Sequence, residues 1–220
     1  MIKAILFDLD GTLLDRDSSL RKFVEDQYNR FIPYLELVPK DDYISRFIEL
    51  DNHGYVWKDI VYQHLTEEFK INELSWEQLL DDYVDSFQYQ CVPFPHLLSM
   101  LKQLRNKYKL GIISNGVTEF QLRNIQALGV ADFFETILIS EKEGVKKPNP
   151  EIFHRAMARL GVSPSECIYI GDHPENDMRA AMDVGMKTIW KVDSYFGDCE
   201  ADYSIRNLGE IPSIVEKICK

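Results

Sequence analysis

Five short apolar runs of strand length recur along the chain. They are continuous rather than alternating and rich in β-branched residues, the pattern of strands that are buried on both faces of a parallel sheet. The last four runs are separated by segments with helical periodicity, which favours right-handed βαβ units. We therefore predict an α/β fold with a doubly wound parallel sheet. The predicted strands are Ile2–Phe7, Leu110–Ile113, Thr136–Ile139, Cys167–Ile170 and Thr188–Val192.

Sequence signals mark the ends of the helical segments. Gly129, Gly161 and Gly185 each follow a periodic segment and precede an apolar residue, the pattern of a helix C-terminal cap. Asn149 before Pro150 suits an N-cap with proline at the first helical position. The predicted helices lie near His96–Lys107, Val117–Leu128, Pro150–Leu160 and Glu175–Val184.

Residues 15–92 break this alternation, with no convincing strand and four amphipathic helical stretches. Ser75 and Gln78 form a capping box ahead of one of these stretches. The segment from residue 16 to residue 92 holds 14 of the chain's 26 aromatic residues, which fits a small bundle that fills its core with large side chains. We predict a core domain made of residues 1–14 and 93–220, with residues 15–92 inserted as a helical subdomain after the first strand.

Composition and charge restrict the range of partners. The formal net charge is −11 and the isoelectric point is about 4.9, which argues against nucleic acid as a partner, because the field repels polyanions. No apolar stretch approaches the length of about 20 residues that crosses a bilayer, and the cysteines show no metal or disulfide spacing. We expect a cytoplasmic protein with no membrane partner, as a monomer or a weak homodimer.

Polar side chains follow four of the five predicted strands. Because ligands of open α/β sheets bind beyond the carboxyl ends of the strands, we expect these side chains to share one site. They are Asp8 and Asp10 after the first strand, Ser114 and Asn115 after the second, Lys146 and Lys147 beyond the third, and Asp172 after the fourth.

Asp8 and Asp10 are two positions apart, so their side chains point the same way if the extended backbone continues past the strand. Two carboxylates in one site raise the affinity for a divalent cation and separate the two pKa values. Such a pair suits one nucleophile and one proton donor. An isolated pair of this kind is more often a solvated loop, so the residues downstream must decide between the two interpretations.

Four segments in order resemble the motifs of the haloacid dehalogenase-like hydrolase superfamily, in the branch with a helical cap inserted between the first two motifs. They are Phe7–Leu13 (FDLDGTL), Ser114–Gly116, Lys147–Pro148 and Gly171–Asp177. The resemblance covers essentially the whole chain and implies a Rossmann-like core, a C1-type cap and a phosphatase activity. It implies that Asp8 attacks phosphorus and becomes aspartyl-phosphate, while Asp10 protonates the leaving oxygen and later activates water.

The resemblance also implies the other roles in the site. Mg²⁺ would be held by the Asp8 carboxylate, the Asp10 backbone carbonyl and Asp172, with Asp177 supporting this shell. Ser114 and Lys147 would bind the phosphoryl oxygens, and the position directly before proline favours Lys147 over Lys146. Thr12, which helps to shape the tight turn, and Asn115 are further candidates for substrate binding. Asn115 is expected to orient the backbone or the cap, and a simple turn residue explains it equally well.

The expected substrate is a small phosphorylated metabolite, with nucleoside monophosphates, phosphoglycolate and sugar phosphates all open. A phosphomutase shares every core residue and remains an alternative. A dehalogenase of the same fold would not need Asp10. A phospho-accepting signalling domain also uses an acidic Mg²⁺ site on a doubly wound sheet, but it needs neither Asp10 nor a helical insert.

Overall fold

The computed structural model of the protein describes residues 1–219 and forms two compact units. One unit consists of residues 1–15 together with the chain from Pro93 onward, and we call it the core unit. The other, Arg16–Val92, is called the insert. Among residues 1–219, no helix combines the length and the apolar character needed to cross a membrane.

The core unit contains a six-stranded sheet in the order β3-β2-β1-β4-β5-β6, and every neighbouring pair is parallel. The five predicted strands are confirmed, with ends that differ by at most two residues. The sixth was missed because only the last of its three residues is buried and apolar, so it leaves no apolar run in the sequence. The strands are β1 (Ala4–Phe7), β2 (Lys109–Ser114), β3 (Thr136–Ile139), β4 (Cys167–Gly171), β5 (Lys187–Lys191) and β6 (Tyr203–Ile205).

The insert contains helices joined by loops, and none of its residues, all of which the structure describes, lies in a β-strand. Its five α-helices exceed the four predicted stretches by one short helix, and Ser75 and Gln78 form the expected capping box. Gln27 ties the bundle together, since it accepts a hydrogen bond from the Tyr62 hydroxyl (2.8 Å) and donates one to Asp82 (2.9 Å). The helices are α1 (Arg16–Arg30), α2 (Ile32–Leu35), α3 (Lys40–Asp51), α4 (Lys58–Glu68) and α5 (Trp76–Ser86), with 3₁₀ turns at Asn52–Gly54 and Phe87–Gln90.

Helices connect the strands of the core unit. Asn149 caps α9 as predicted, because its side chain accepts a hydrogen bond from the Glu151 amide (3.0 Å), and Gly161 ends the same helix in the left-handed conformation. The helices are α6 (Leu97–Leu104), α7 (Thr118–Ala127), α8 (Ser140–Glu143), α9 (Pro150–Leu160), α10 (Ala180–Asp183) and α11 (Ile211–Ile218). Single 3₁₀ turns lie at Ala131–Phe133, Pro164–Glu166 and Leu208–Glu210.

The helix predicted near Glu175–Val184 is the one that differs most. Its first part, Pro174–Arg179, is a π-helix, in which both the Asp177 and the Met178 amides donate to the His173 carbonyl. Only Ala180–Asp183 is α-helical. The wider turn places the Asp177 side chain directly over the end of β4.

The register of the central strands explains why the polar side chains converge. Phe7, the last residue of β1, lies beside Ile112 of β2 and Ile170 of β4. Because the three strands run in parallel, the loops that follow them leave from the same edge of the sheet. Buried apolar side chains on both faces of the sheet fix this arrangement.

Candidate active site

Asp8 and the turn that follows it begin the site. The Asp8 side chain is buried, and its backbone amide donates to the Ile170 carbonyl of β4 (2.9 Å). The chain then turns at Gly11, whose φ is +80°. A Cβ atom at position 11 would lie 2.4 Å from a carboxylate oxygen of Asp172. Only glycine therefore lets the turn approach Asp172 this closely.

Asp172 is held by two side chains that approach from different directions. The buried Thr12 hydroxyl donates to the Asp172 carboxylate (3.0 Å). The indole N–H of Trp190, on β5, donates to the Asp172 backbone carbonyl (2.7 Å). The Thr12 side chain thus contacts Asp172. The predicted part of Thr12 in substrate binding stays a prediction.

Lys147 lies at the centre of the buried charges, whereas Lys146 is exposed. The Lys147 ammonium donates to Asp8 (2.5 Å), to Asp177 (2.7 Å) and to the Tyr169 hydroxyl (3.1 Å). Both Asp8 and Asp177 are therefore within direct ion-pair distance of one cation.

Asn115 fixes the backbone that carries Lys147. Its amide nitrogen donates to the Lys147 carbonyl (3.0 Å), and its amide oxygen accepts from the Lys147 N–H (2.9 Å). Both ends of the Asn115 amide thus bind the Lys147 backbone. These contacts agree with the expectation that Asn115 orients the backbone, while its part in substrate binding stays a prediction.

Asp177 reaches the site because Gly171 leaves room for it. A Cβ atom at position 171 would lie 2.5 Å from the Asp177 carboxyl carbon. Besides Lys147, the Asp177 carboxylate accepts hydrogen bonds from the Tyr169 hydroxyl (3.2 Å) and the His173 amide (3.1 Å). These three donors make Asp177 a fixed buried carboxylate close to Asp8 and Asp172.

The charges of this cluster do not balance. Carboxylate oxygens of Asp8, Asp172 and Asp177 lie within 4.8 Å of one another, and Lys147 is the cation in direct contact. Burial raises the pKa of Asp8 to about 7, against the opposing charge of Lys147. The pKa of Asp172 is also raised by burial and by the Asp8 charge. Burial would lower the pKa of Lys147, but the charges of Asp177 and Asp8 outweigh it and raise that pKa.

This donor set fits a divalent cation. Three buried carboxylates against one ammonium leave an excess of negative charge that water cannot screen. The ligand atoms that these side chains offer are carboxylate oxygens, which hard cations such as Mg²⁺ prefer. Among the described residues, Asp8, Asp172 and Asp177 are the acidic group that would hold such an ion, and the part of the Asp10 carbonyl stays a prediction.

Three polar side chains of the site were not predicted. Tyr169 and Trp190 lie within apolar strands, so the sequence pattern makes them look like ordinary core residues. Gln121, on α7, donates to Asp10 (2.5 Å) and to the Ser114 hydroxyl (3.0 Å). A signal for it existed, because Gln121 and Asn124 are polar residues three positions apart on the buried face of α7.

Known proteins similar to this chain include both phosphatases and dehalogenases. The chain is 28% identical to glyceraldehyde 3-phosphate phosphatase of Pyrococcus furiosus, over 98% of this chain and 94% of that protein. It is 29% identical to pyrimidine 5'-nucleotidase YjjG of Escherichia coli, over 84% of each.

Among solved structures, 2-haloacid dehalogenase of Pseudomonas syringae is 28% identical and superposes with a TM-score of 0.66, over 99% of each chain. The family model of haloacid dehalogenase-like hydrolases matches residues 5–191. That match begins in β1, spans the insert and ends in β5, and the chain therefore belongs to the haloacid dehalogenase-like hydrolases.

Proposed function

We propose that this hydrolase is a Mg²⁺-dependent phosphatase that cleaves a small phosphomonoester through an aspartyl-phosphate at Asp8. The observation that carries the proposal is Asp10, a second carboxylate two residues beyond the buried Asp8. Displacement of a halide from carbon needs no proton donor for the leaving group, whereas an alkoxide leaving phosphorus does. Asp10 therefore favours a phosphatase over a dehalogenase of the same fold.

The reaction takes place in two displacements. A carboxylate oxygen of Asp8 attacks phosphorus, the bond to the ester oxygen breaks, and Asp10 gives that oxygen its proton. Asp10 then removes a proton from water, the water oxygen attacks phosphorus, and the bond to Asp8 breaks. Phosphate leaves, and both aspartates return to their initial states.

The remaining residues stabilise charge and hold the reacting groups. Lys147 neutralises charge on the transferred phosphoryl group, and the Ser114 hydroxyl binds one of its oxygens. Thr12 fixes Asp172, while Asn115 fixes Lys147. A bound Mg²⁺ would polarise the phosphoryl group and balance the charge of Asp8 and Asp172.

We further propose that the insert, Arg16–Val92, acts as the cap that selects the substrate. The names of two relatives suggest two substrate classes, a phosphorylated three-carbon aldehyde and a pyrimidine nucleoside monophosphate. Both are small phosphomonoesters. A cytoplasmic location, the lack of nucleic acid and membrane partners, and a monomeric or weakly dimeric state stay predictions.

A screen of purified protein against phosphorylated metabolites tests the function. Phosphate release should require Mg²⁺ and stop in EDTA, and 2-chloropropionate should yield no chloride. Chloride release without phosphate release would contradict the phosphatase. Conversion of a phosphorylated sugar into its isomer, with no free phosphate, would instead indicate a phosphomutase.

A further inference from the structure

Gln121 makes an unusual set of contacts for a helical glutamine. Its side chain is buried, with 4% of the residue exposed. The amide nitrogen lies within hydrogen-bond distance of three acceptors, the Asp10 carboxylate (2.5 Å), the Ser114 hydroxyl (3.0 Å) and the Asn115 carbonyl (3.1 Å). Burying a polar side chain is unfavourable unless it is hydrogen bonded, so this position of Gln121 depends on these contacts.

The surroundings fix which end of the Gln121 amide faces Asp10. The Asn124 amide nitrogen donates to the Gln121 oxygen (3.2 Å), so the Gln121 nitrogen is turned towards the carboxylate. An ionised carboxylate only accepts hydrogen bonds, which requires the same orientation. Gly116 makes space, because a Cβ atom there would lie 3.1 Å from the Gln121 amide nitrogen.

Through these contacts Gln121 links the residue proposed for proton transfer to the residue proposed for phosphoryl binding. The Gln121 amide has two N–H groups for three acceptors. One of those acceptors belongs to the proposed acid and base, Asp10, and another to the phosphoryl-binding hydroxyl of Ser114. The Ser114 oxygen accepts from Gln121, while its own hydrogen is directed at the Asn115 carbonyl (3.4 Å) in the protein without substrate.

We propose that Gln121 is the positioning residue for Asp10, holding one carboxylate oxygen so that the group faces the leaving oxygen. This inference rests on the proposed function, because it assigns Gln121 to the proton transfers of that reaction. Gln121 touches neither phosphorus nor the leaving group. Its effect is transmitted through the orientation of Asp10.

A loss of activity that acts through Asp10 depends on the leaving group of the substrate, whereas a loss that acts through Ser114 does not. General acid catalysis matters most for a basic leaving group, so an alkyl phosphate needs the proton of Asp10 while nitrophenyl phosphate does not. A misplaced Ser114 would weaken phosphoryl binding for both esters alike. The value of kcat/KM isolates this step, because it includes events only up to departure of the leaving group.

The test compares three variants with two substrates. Gln121→Met keeps the length of the side chain and removes the donor, and Gln121→Glu keeps the shape but replaces the donor with an acceptor. Gln126→Met is the matched control, because Gln126 is an exposed glutamine on the same helix. Thermal melting establishes that each variant is folded.

Both Gln121 variants should lower kcat/KM for an alkyl phosphate by about 10- to 100-fold, the loss expected for a hydrogen bond to a charged group. The loss with nitrophenyl phosphate should be clearly smaller, and Gln126→Met should match the wild type. Equal losses for both esters, or full activity in Gln121→Glu, would overturn the inference. If Asp10→Asn itself shows no dependence on the leaving group, the proposed function fails and the inference fails with it. A dependence in Asp10→Asn that the Gln121 variants do not share overturns the inference alone.

Discussion

Each of the two units holds a buried aspartate against basic side chains, but the balance of charge differs. In the insert, Asp51 is a single carboxylate that contacts two cations, Arg16 (3.0 Å) and Lys58. In the core unit, the single ammonium of Lys147 contacts Asp8 and Asp177, with the carboxylate of Asp172 close by.

The difference separates a structural ion cluster from a reactive one. Asp51 also accepts from the Gly54 amide (2.9 Å) at the end of α3, so its donors satisfy the carboxylate and close the turn. In the core cluster the protein supplies too few cations, and the pKa of Asp8 is raised to about 7 as a result of burial. A group that the fold leaves unfavourably charged is a candidate for chemistry or for metal binding.

The largest expected effect is the loss of turnover in Asp8→Asn. The amide cannot act as the nucleophile and supplies no charge to the cation, so kcat should fall on the order of 10⁴-fold or more. Phosphate release with Mg²⁺ measures it. Turnover near that of the wild type would remove Asp8 from the mechanism. The core cluster would then no longer differ from the insert cluster by being reactive.

Asp51→Asn should have the opposite profile. Removing the carboxylate leaves two basic groups without it, and the free energy of unfolding should fall by about 3 kcal/mol, as for a broken buried ion pair. Turnover of nitrophenyl phosphate at 25 °C should stay within about threefold of wild type, since the contacts of Asp51 described above lie within the insert and sites without shared partners are usually independent. Urea unfolding and steady-state assays check the two parts. A loss of turnover as large as that in Asp8→Asn would show that the insert cluster takes part in the reaction.

A smaller effect concerns pH and Mg²⁺. In the protein without metal, Asp8 takes up its proton below a pKa of about 7, while an unfolded aspartate does so near 3.8. The folded state therefore binds more protons between these values, and stability falls as pH rises through this window. Mg²⁺ needs the ionised carboxylate, so it should raise the melting temperature more at pH 8 than at pH 6. Equal increases at both pH values, measured by scanning fluorimetry, would contradict the assignment of Asp8 as a ligand.

Sequence patterns predicted those features of the fold that depend on residues close together in the chain. Continuous apolar runs predicted the buried strands, and their carboxyl ends predicted that Asp8 and Asp172 would lie close together. The π-helix at Pro174–Arg179 was not predictable in this way, because helical periodicity does not distinguish a wider turn over so few residues.

Contacts between residues that lie far apart in the sequence were not predicted. Gln121 reaches Asp10 across 111 positions of the chain, and only the packing of α7 brings them together. Tyr169 sits in the middle of β4, where its ring packs against Phe153 and its hydroxyl reaches Lys147. The apolar pattern of a strand indicates that the tyrosine ring is buried, but it does not indicate which group the hydroxyl contacts.

The central claim is that Asp8 carries the phosphoryl group between the two displacements. Asp10→Asn should still be phosphorylated by nitrophenyl phosphate, whose leaving group needs no proton, but it lacks the base for hydrolysis. Rapid mixing should therefore show a burst of about one nitrophenolate per active site, followed by slow turnover. Mass spectrometry of the quenched protein should find the phosphoryl group on the peptide that contains Asp8. No burst, or a phosphoryl group on another residue, would contradict the account.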